Sequence, residues 1–216
     1  MKKLTVVKLK REANAFSKYQ SATDEPTLFG VTDGKAIGTH LEHEFRLRLE
    51  RSYVFSSGSS ARGIDFPELG VDMKATSIRQ PQSSCPFKSA KEKIYGLAYS
   101  LLVFVYEKVD DQQRRTARLD IKHVVYVEKA QTADFQTTSG LHKILDNSGN
   151  KDDLLAFMEE RLLPMNEMQA DQLADEILRN PPAIGYLTIS NALQWRLQYR
   201  RVIEYAGRVD GVEKVI

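Results

Sequence analysis

The chain has 216 residues, 42% of them hydrophobic and 28% charged, with a formal net charge of only +2. That composition excludes a disordered or fibrous chain and leaves room for one sizeable buried core, alone or with a helical appendage. A single cysteine, Cys85, excludes an intramolecular disulfide and any cysteine-rich zinc site. Charge is unevenly distributed: residues 140–180 hold nine acidic and four basic side chains, while 1–62 and 74–93 each carry a net +4. A basic surface beside an acidic lobe fits a nucleic-acid partner, because phosphate neutralisation depends on local charge; ordinary surface variation gives the same pattern.

In chain order, Met1-Lys2-Lys3 is followed by Lys8, Lys10 and Arg11 rather than an apolar segment, so no signal peptide is expected. The longest apolar run, Leu101–Tyr106, is too short to span a bilayer, and a cytoplasmic protein is the expectation. Pro26, Gly30 and Gly34 mark residues 20–34 as loop. From Lys35 to about Arg51 the four-residue recurrence of Ile37, Leu41, Phe45 and Leu49 predicts a helix with one buried stripe. A Ser/Gly-rich turn at 56–60 separates predicted short strands near 53–56 and 62–66.

Leu69–Thr76 alternates as a strand does, which puts Val71 and Met73 on one face and Asp72 and Lys74 on the other. A polar loop from Gln80 to Pro86, a helix over 89–100 and the apolar strand 101–106 follow. That order suggests a crossover between parallel strands. After a charged turn at 110–115 and a strand at 119–127, helices are predicted near 152–162, 168–179 and 191–206, the last with Ser190 as N-cap. The fold class is therefore α/β, a mixed central sheet flanked by helices with a mainly helical C-terminal portion. Its expected divisions are an N-terminal segment (1–34), a core (35–130) and the helical portion (131–216).

The segment that carries chemistry is Gly63-Ile64-Asp65-Phe66-Pro67-Glu68-Leu69-Gly70-Val71-Asp72-Met73-Lys74. Asp72 and Lys74 project from one sheet face, and Pro67 and Gly70 let the chain turn back so that Asp65 approaches them. Two carboxylates brought together repel unless a divalent cation lies between them, and oxygen ligands suit Mg²⁺ or Mn²⁺. Such a centre supports phosphodiester hydrolysis, with Lys74 offsetting negative charge in the transition state. Asp-x-Lys alone is common in ordinary surface hairpins.

Asp65 followed by Asp72-Met73-Lys74 resembles the PD-(D/E)XK nuclease signature, with Ile64 at the position that gives the family its proline. Glu42, four residues after Gly38, resembles the glutamate that the family draws from an upstream helix; Glu44 is a reserve, and Glu68 reads as a solvated turn residue. The resemblance spans about 70 residues, from Lys35 to Tyr106. It implies a restriction-endonuclease-like core, a Mg²⁺-dependent endonuclease acting on double-stranded DNA (Mn²⁺ substituting), and metal ligation by Asp65, Asp72 and the Met73 carbonyl. Lys74 would orient the nucleophile and Glu42 would serve as an outer or second-metal ligand. Size and the helical extension are most similar to a type II restriction endonuclease, which implies a homodimer and a cognate DNA methyltransferase as genetic partner.

Outside that motif, Lys88 and Lys91 on one predicted helix and Arg196 and Arg200 on another sit one turn apart and suit phosphate contacts, as well as a solvated face. Gln80, Gln82, Ser83 and Ser84 follow the catalytic strand and are candidates for base readout, since glutamine amides pair with adenine edges. His40, His43, His123 and His142 have no metal-ligand spacing, a helical His40–Glu44 contact is expected, and no phosphate-binding Gly-x-x-x-x-Gly-Lys loop is present. Trp195, Tyr199 and Ile203 read as core packing. A repair or junction-resolving nuclease, a non-catalytic DNA-binding module with the last helix as reader, and an interaction protein without DNA affinity remain the alternative readings.

Overall fold

The computed structural model describes residues 2–56, 64–190 and 196–216. Strand β1 (Lys2–Lys3) leads into helix α1 (Val6–Ala22), whose first turn Thr5 caps by accepting the Lys8 N–H. This helix is absent from the sequence expectations. Its buried positions are Leu9, Ala13, Phe16, Ser17 and Gln20, a stripe too rich in small and polar residues to stand out. Of the predicted loop 20–34, residues 20–22 belong to the end of α1 and Gly34 opens the next helix; between them lie β2 (Asp24–Glu25) and a short 3₁₀ turn. Helix α2 (Gly34–Glu50) matches its prediction: Asp33 caps it, and Ile37, Leu41, Phe45 and Leu49 are all buried. His40 approaches Glu25 at 3.5 Å, so the expected contact with Glu44 is replaced by one from β2.

Strand β3 (Tyr53–Val54) pairs in parallel with β1. The predicted turn from 57 to 60 and the start of the strand at 62 lie outside the described residues. The chain from 64 to 66 is not a strand; Phe66 instead makes an isolated antiparallel bridge to Val71, at the start of β4 (Val71–Ser77). The predicted polar loop after β4 contains a strand of its own, β5 (Gln82–Ser84). Helix α3 (Ala90–Tyr95) starts after its Ser89 cap but stops well short of the predicted end. Gly96 ends it at φ +82°, where a Cβ would lie 2.7 Å from Thr132 Oγ1 and 2.8 Å from the Lys129 carbonyl, so only glycine fits.

Strands β6 (Ser100–Asp111) and β7 (Thr116–Val127) form a long antiparallel hairpin across the charged turn. Helices α4 (Phe135–Asp146), α5 (Lys151–Glu160) and α6 (Glu167–Arg179) follow. The second and third sit where expected, whereas α4, started by the buried Asp134 cap, is new. Strands β8 (Thr188–Ile189) and β9 (Arg196–Gln198), helix α7 (Arg200–Tyr205) and β10 (Val212–Lys214) complete the chain. The predicted helix over 191–206 is thereby corrected. Residues 191–195 are outside the description, 196–198 are extended because they pair with β5 and β8, and α7 starts after Tyr199 rather than Ser190.

The main sheet has the order β10-β7-β6-β4, with β2 added beside β7. Only the β4–β6 pair in it is parallel, as the crossover through β5 and α3 requires, so the sheet is mixed. One face, with Leu102, Phe104 and Met73, packs on α1 and α2. The other, with Leu101, Val103 and Val105, packs on the small sheet β5-β9-β8 and on α7. A third cluster joins α3 to the lobe of α4, α5 and α6. Leu101–Tyr106 is covered on both faces, which explains an apolar run without alternation. No helix among the described residues is long and apolar enough to cross a membrane.

Candidate active site

The sequence-predicted site residues lie at and beside the open edge of β4, the last strand of the main sheet. Val71 and Met73 point into the cluster with α1 and α2, and Asp72 and Lys74 take the opposite face. Pro67–Leu69 makes a 3₁₀ turn and Gly70, at φ +60°, returns the chain so that Phe66 exchanges both backbone hydrogen bonds with Val71, at 2.9 and 3.2 Å. Odd-numbered residues of β4 thus direct their N–H and C=O toward the open edge. One step along, the Met73 N–H donates to Asp65 Oδ2 at 2.9 Å. The Met73 carbonyl shares that edge, where the expected metal ligation would need it.

The side chain of Asp65 is also held by Arg46 of α2, whose Nη2 donates to Oδ1 at 3.0 Å. Arg46 was not singled out in the sequence, although it lies four residues after Glu42, the spacing that puts two helical side chains on one face. Asp72 is 3% exposed. Its Oδ2 lies 2.7 Å from Lys74 Nζ. That contact is an ion pair of poor hydrogen-bond direction, and Oδ2 has no directed hydrogen bond among the described residues. Burial, followed by the neighbouring Asp65, pushes the Asp72 carboxyl up to about 6 against the pull of Lys74. Burial also raises Glu42, to about 7, with Asp65 and then Asp72 adding to the rise and Lys74 and Arg46 opposing it.

Glu42, Asp65 and Asp72 therefore share one electrostatic site although they come from three segments. Among the described residues, no three carboxylate, imidazole or thiolate groups converge to metal-ligand distances. The donor set nonetheless fits a hard divalent cation: the buried Asp72 and the half-buried Glu42 are raised first by burial and then by neighbouring negative charge, which a cation would offset, and a main-chain carbonyl faces the same edge. Glu44 makes no contact with this group in the interactions described, and Glu68 is exposed, bonded to Ser56 and 3.7 Å from Lys3.

The remaining candidates are scattered more widely. Lys88 precedes α3 instead of lying on it, and Lys91 pairs with Glu176 of α6 at 2.7 Å. Arg196 is on β9 and Arg200 opens α7, so that pair is not one turn apart on a helix. Gln80 is exposed in the turn before β5. Gln82 and Ser84 lie on β5, where Ser83 turns inward and shares a 2.6 Å hydrogen bond with the hydroxyl of the fully buried Tyr199. Thr76, two residues beyond Lys74, ties the two strands: its hydroxyl accepts the Gln82 N–H at 3.0 Å and donates to the Gln82 carbonyl at 3.1 Å. Neither Thr76 nor Tyr199 carried a sequence signal of this role, because both act through pairing of distant segments. Trp195 lies outside the described residues, while Tyr199 and Ile203 do pack in the core.

The chain matches the family described as type II restriction enzyme NspV over residues 3–214. The type II restriction enzyme NspV of Nostoc sp. is 62% identical to it over 209 residues, covering 97% of this chain and 95% of that protein. No solved structure matches.

Proposed function

The chain belongs to the family of the type II restriction enzyme NspV, and we propose that it cuts double-stranded DNA at a specific sequence with the β4 edge as its cutting centre. Family membership makes it a site-specific deoxyribonuclease instead of a non-catalytic binding module. The observation that carries the assignment of the centre is the crowding of Asp65, Asp72 and Glu42 around Lys74 on an edge strand. The motif and its element order support a PD-(D/E)XK core within residues 35–130.

Asp65, Asp72 and the Met73 carbonyl would hold Mg²⁺, or Mn²⁺ in its place. A divalent cation there would polarise the scissile phosphate and lower the pKa of an attacking water. Arg46 and the Met73 N–H fix Asp65 by one bond on each oxygen, leaving further lone pairs for a cation. Burial, with Asp65 and Asp72 nearby, raises Glu42 to about 7 despite Lys74 and Arg46, and further positive charge would favour its ionised form. The Lys74 side chain is 26% exposed, so it is not sealed off from an approaching phosphate backbone. Relieved of Asp72, it would orient the water and offset charge as the leaving oxygen departs. A duplex offers two antiparallel scissile strands, which two copies related by a twofold axis would meet, so we extend the proposal to a homodimer. The reading also implies a cytoplasmic enzyme and a cognate DNA methyltransferase that protects the cell's own sites.

Supercoiled plasmid incubated with the protein tests this directly. Discrete fragments are expected with Mg²⁺ or Mn²⁺, none with EDTA, and binding without cutting in Ca²⁺. Undiminished cutting in EDTA would contradict the two-aspartate centre.

A further inference from the structure

We infer that the outward face of the small sheet β5-β9-β8 reads base edges in the major groove, with Gln82, Arg196 and Gln198 as specificity-determining residues. The inference rests on the nuclease reading above and names the element that selects its substrate. The register pairs Gln82 with Gln198, Ser83 with Leu197 and Ser84 with Arg196, while β8 adds Thr188 beside Gln198 and Ile189 beside Leu197. Alternation sorts these residues into two sets. Ser83, Leu197 and Ile189 turn inward, where Leu197 and Ile189 are buried in the core and Ser83 meets Tyr199. Gln82, Ser84, Arg196, Gln198 and Thr188 turn outward, and each is half-buried or exposed.

Every outward side chain carries a hydrogen-bonding group, which a solvated ribbon does not need at every position. Two glutamine amides and a guanidinium are the groups that make bidentate pairs with adenine and guanine edges. All three reading residues lie on the β5–β9 pair, and a two-stranded ribbon has the width the major groove admits, with the two-residue β8 flanking it. Position supports the same conclusion. Thr76 bonds to Gln82 through both backbone groups and lies two residues from Lys74, a spacing of about 7 Å along the strand. That is about two base-pair steps, so bases read by the ribbon would lie beside the cut phosphate. Tyr199, fully buried, bonds to Ser83 and donates its N–H to the Pro81 carbonyl at 2.8 Å, which holds β5 rigid against α7. Arg196 therefore becomes a base contact instead of the phosphate grip its sequence suggested, and Ser83 leaves the set of reading residues.

The test is selection from a random-sequence duplex pool by gel shift in Ca²⁺, run on the full chain and on Gln82→Ala, Gln198→Ala, Arg196→Ala and Arg196→Lys. Gln112→Ala, in the exposed β6–β7 turn, is the control. The wild type should enrich one sequence. Each glutamine variant should lose preference at one or two adjacent positions, with affinity for the enriched duplex falling about 5- to 150-fold and affinity for a scrambled duplex unchanged. Arg196→Lys should lose preference as Arg196→Ala does, because a point charge retains a phosphate contact but not a bidentate pair. All substitutions face outward, and unchanged thermal melting would exclude loss of fold as the cause. Failure of the wild type to enrich any sequence would overturn the ribbon as reader, as would an unaltered preference in all four variants. Cutting of plasmid in Mg²⁺ is scored separately, so failure of the nuclease reading remains distinguishable.

Discussion

At the edge of the main sheet, Asp72 is almost wholly buried beside Asp65, Glu42 and Lys74, and burial with like charge raises Asp72 and Glu42. In the lobe of α4, α5 and α6, acidic residues are more numerous but do different work. Asp153 completes a capping box with Asn150 at the start of α5, and Asp171 and Asp175 meet Lys151 at 2.7 and 2.9 Å on the surface. One region concentrates charge where water solvates it poorly, an arrangement that costs stability and that the proposal assigns to catalysis. The other distributes charge to helix ends and solvent, where it supports local structure. Buried crowding of like charges, rather than the number of acidic residues, separates a candidate centre from an acidic surface.

The sharpest way to break that comparison is Asp72→Asn. Cleavage should be lost, a change above about 4 kcal/mol in the barrier. Stability should move the other way, and its sign follows from the raised carboxyl. The fold binds the Asp72 proton more tightly than the unfolded chain, so this group's contribution falls as pH rises from about 4 through about 6. Metal-free Asp72→Asn should accordingly melt higher than wild type at pH 8, by roughly 1–3 kcal/mol, and match it near pH 4. Calorimetric melts in EDTA at the two pH values would measure this, and a variant less stable at pH 8 would contradict it. In the lobe, Asn166→Ala removes a capping box on α6 and should cost about 1 kcal/mol, or ~2–4 °C in melting temperature, without changing the cleavage rate. The smallest effect belongs to Lys151→Ala. Its exposed pairs are screened by salt, so melting should shift less than for Asn166→Ala and not at all in 1 M salt.

Legibility in the sequence divides along similar lines. The stripe of α2 and the alternation of β4 were readable because each buries one face at its own period, and those two elements hold Glu42, Asp72, Met73 and Lys74. Asp65 was readable from the motif, but its anchoring was not, since Arg46 reaches it across 19 positions of chain. Helix α4 was missed because Thr137 and Thr138 fill its buried face, and β-branched residues do not look helical until Asp134 caps them. The segment at 196–198 read as helix by its spacing, yet pairing with β5, more than 110 residues earlier, makes it a strand. Local patterns therefore exposed the candidate centre, while the elements that surround it depend on contacts no local pattern contains.

The central claim, that the β4 edge is where DNA is cut, is tested most directly by Lys74→Ala in a paired measurement on one duplex. Gel-shift affinity is taken in Ca²⁺ and single-turnover cleavage in Mg²⁺. In the proposal Lys74 acts as charge develops, so affinity should fall by no more than the roughly 1–2 kcal/mol of one charge-assisted contact, while the cleavage barrier rises by more than ~4 kcal/mol. Cleavage near the wild-type rate would contradict the account, and the cutting centre would then have to lie on another strand.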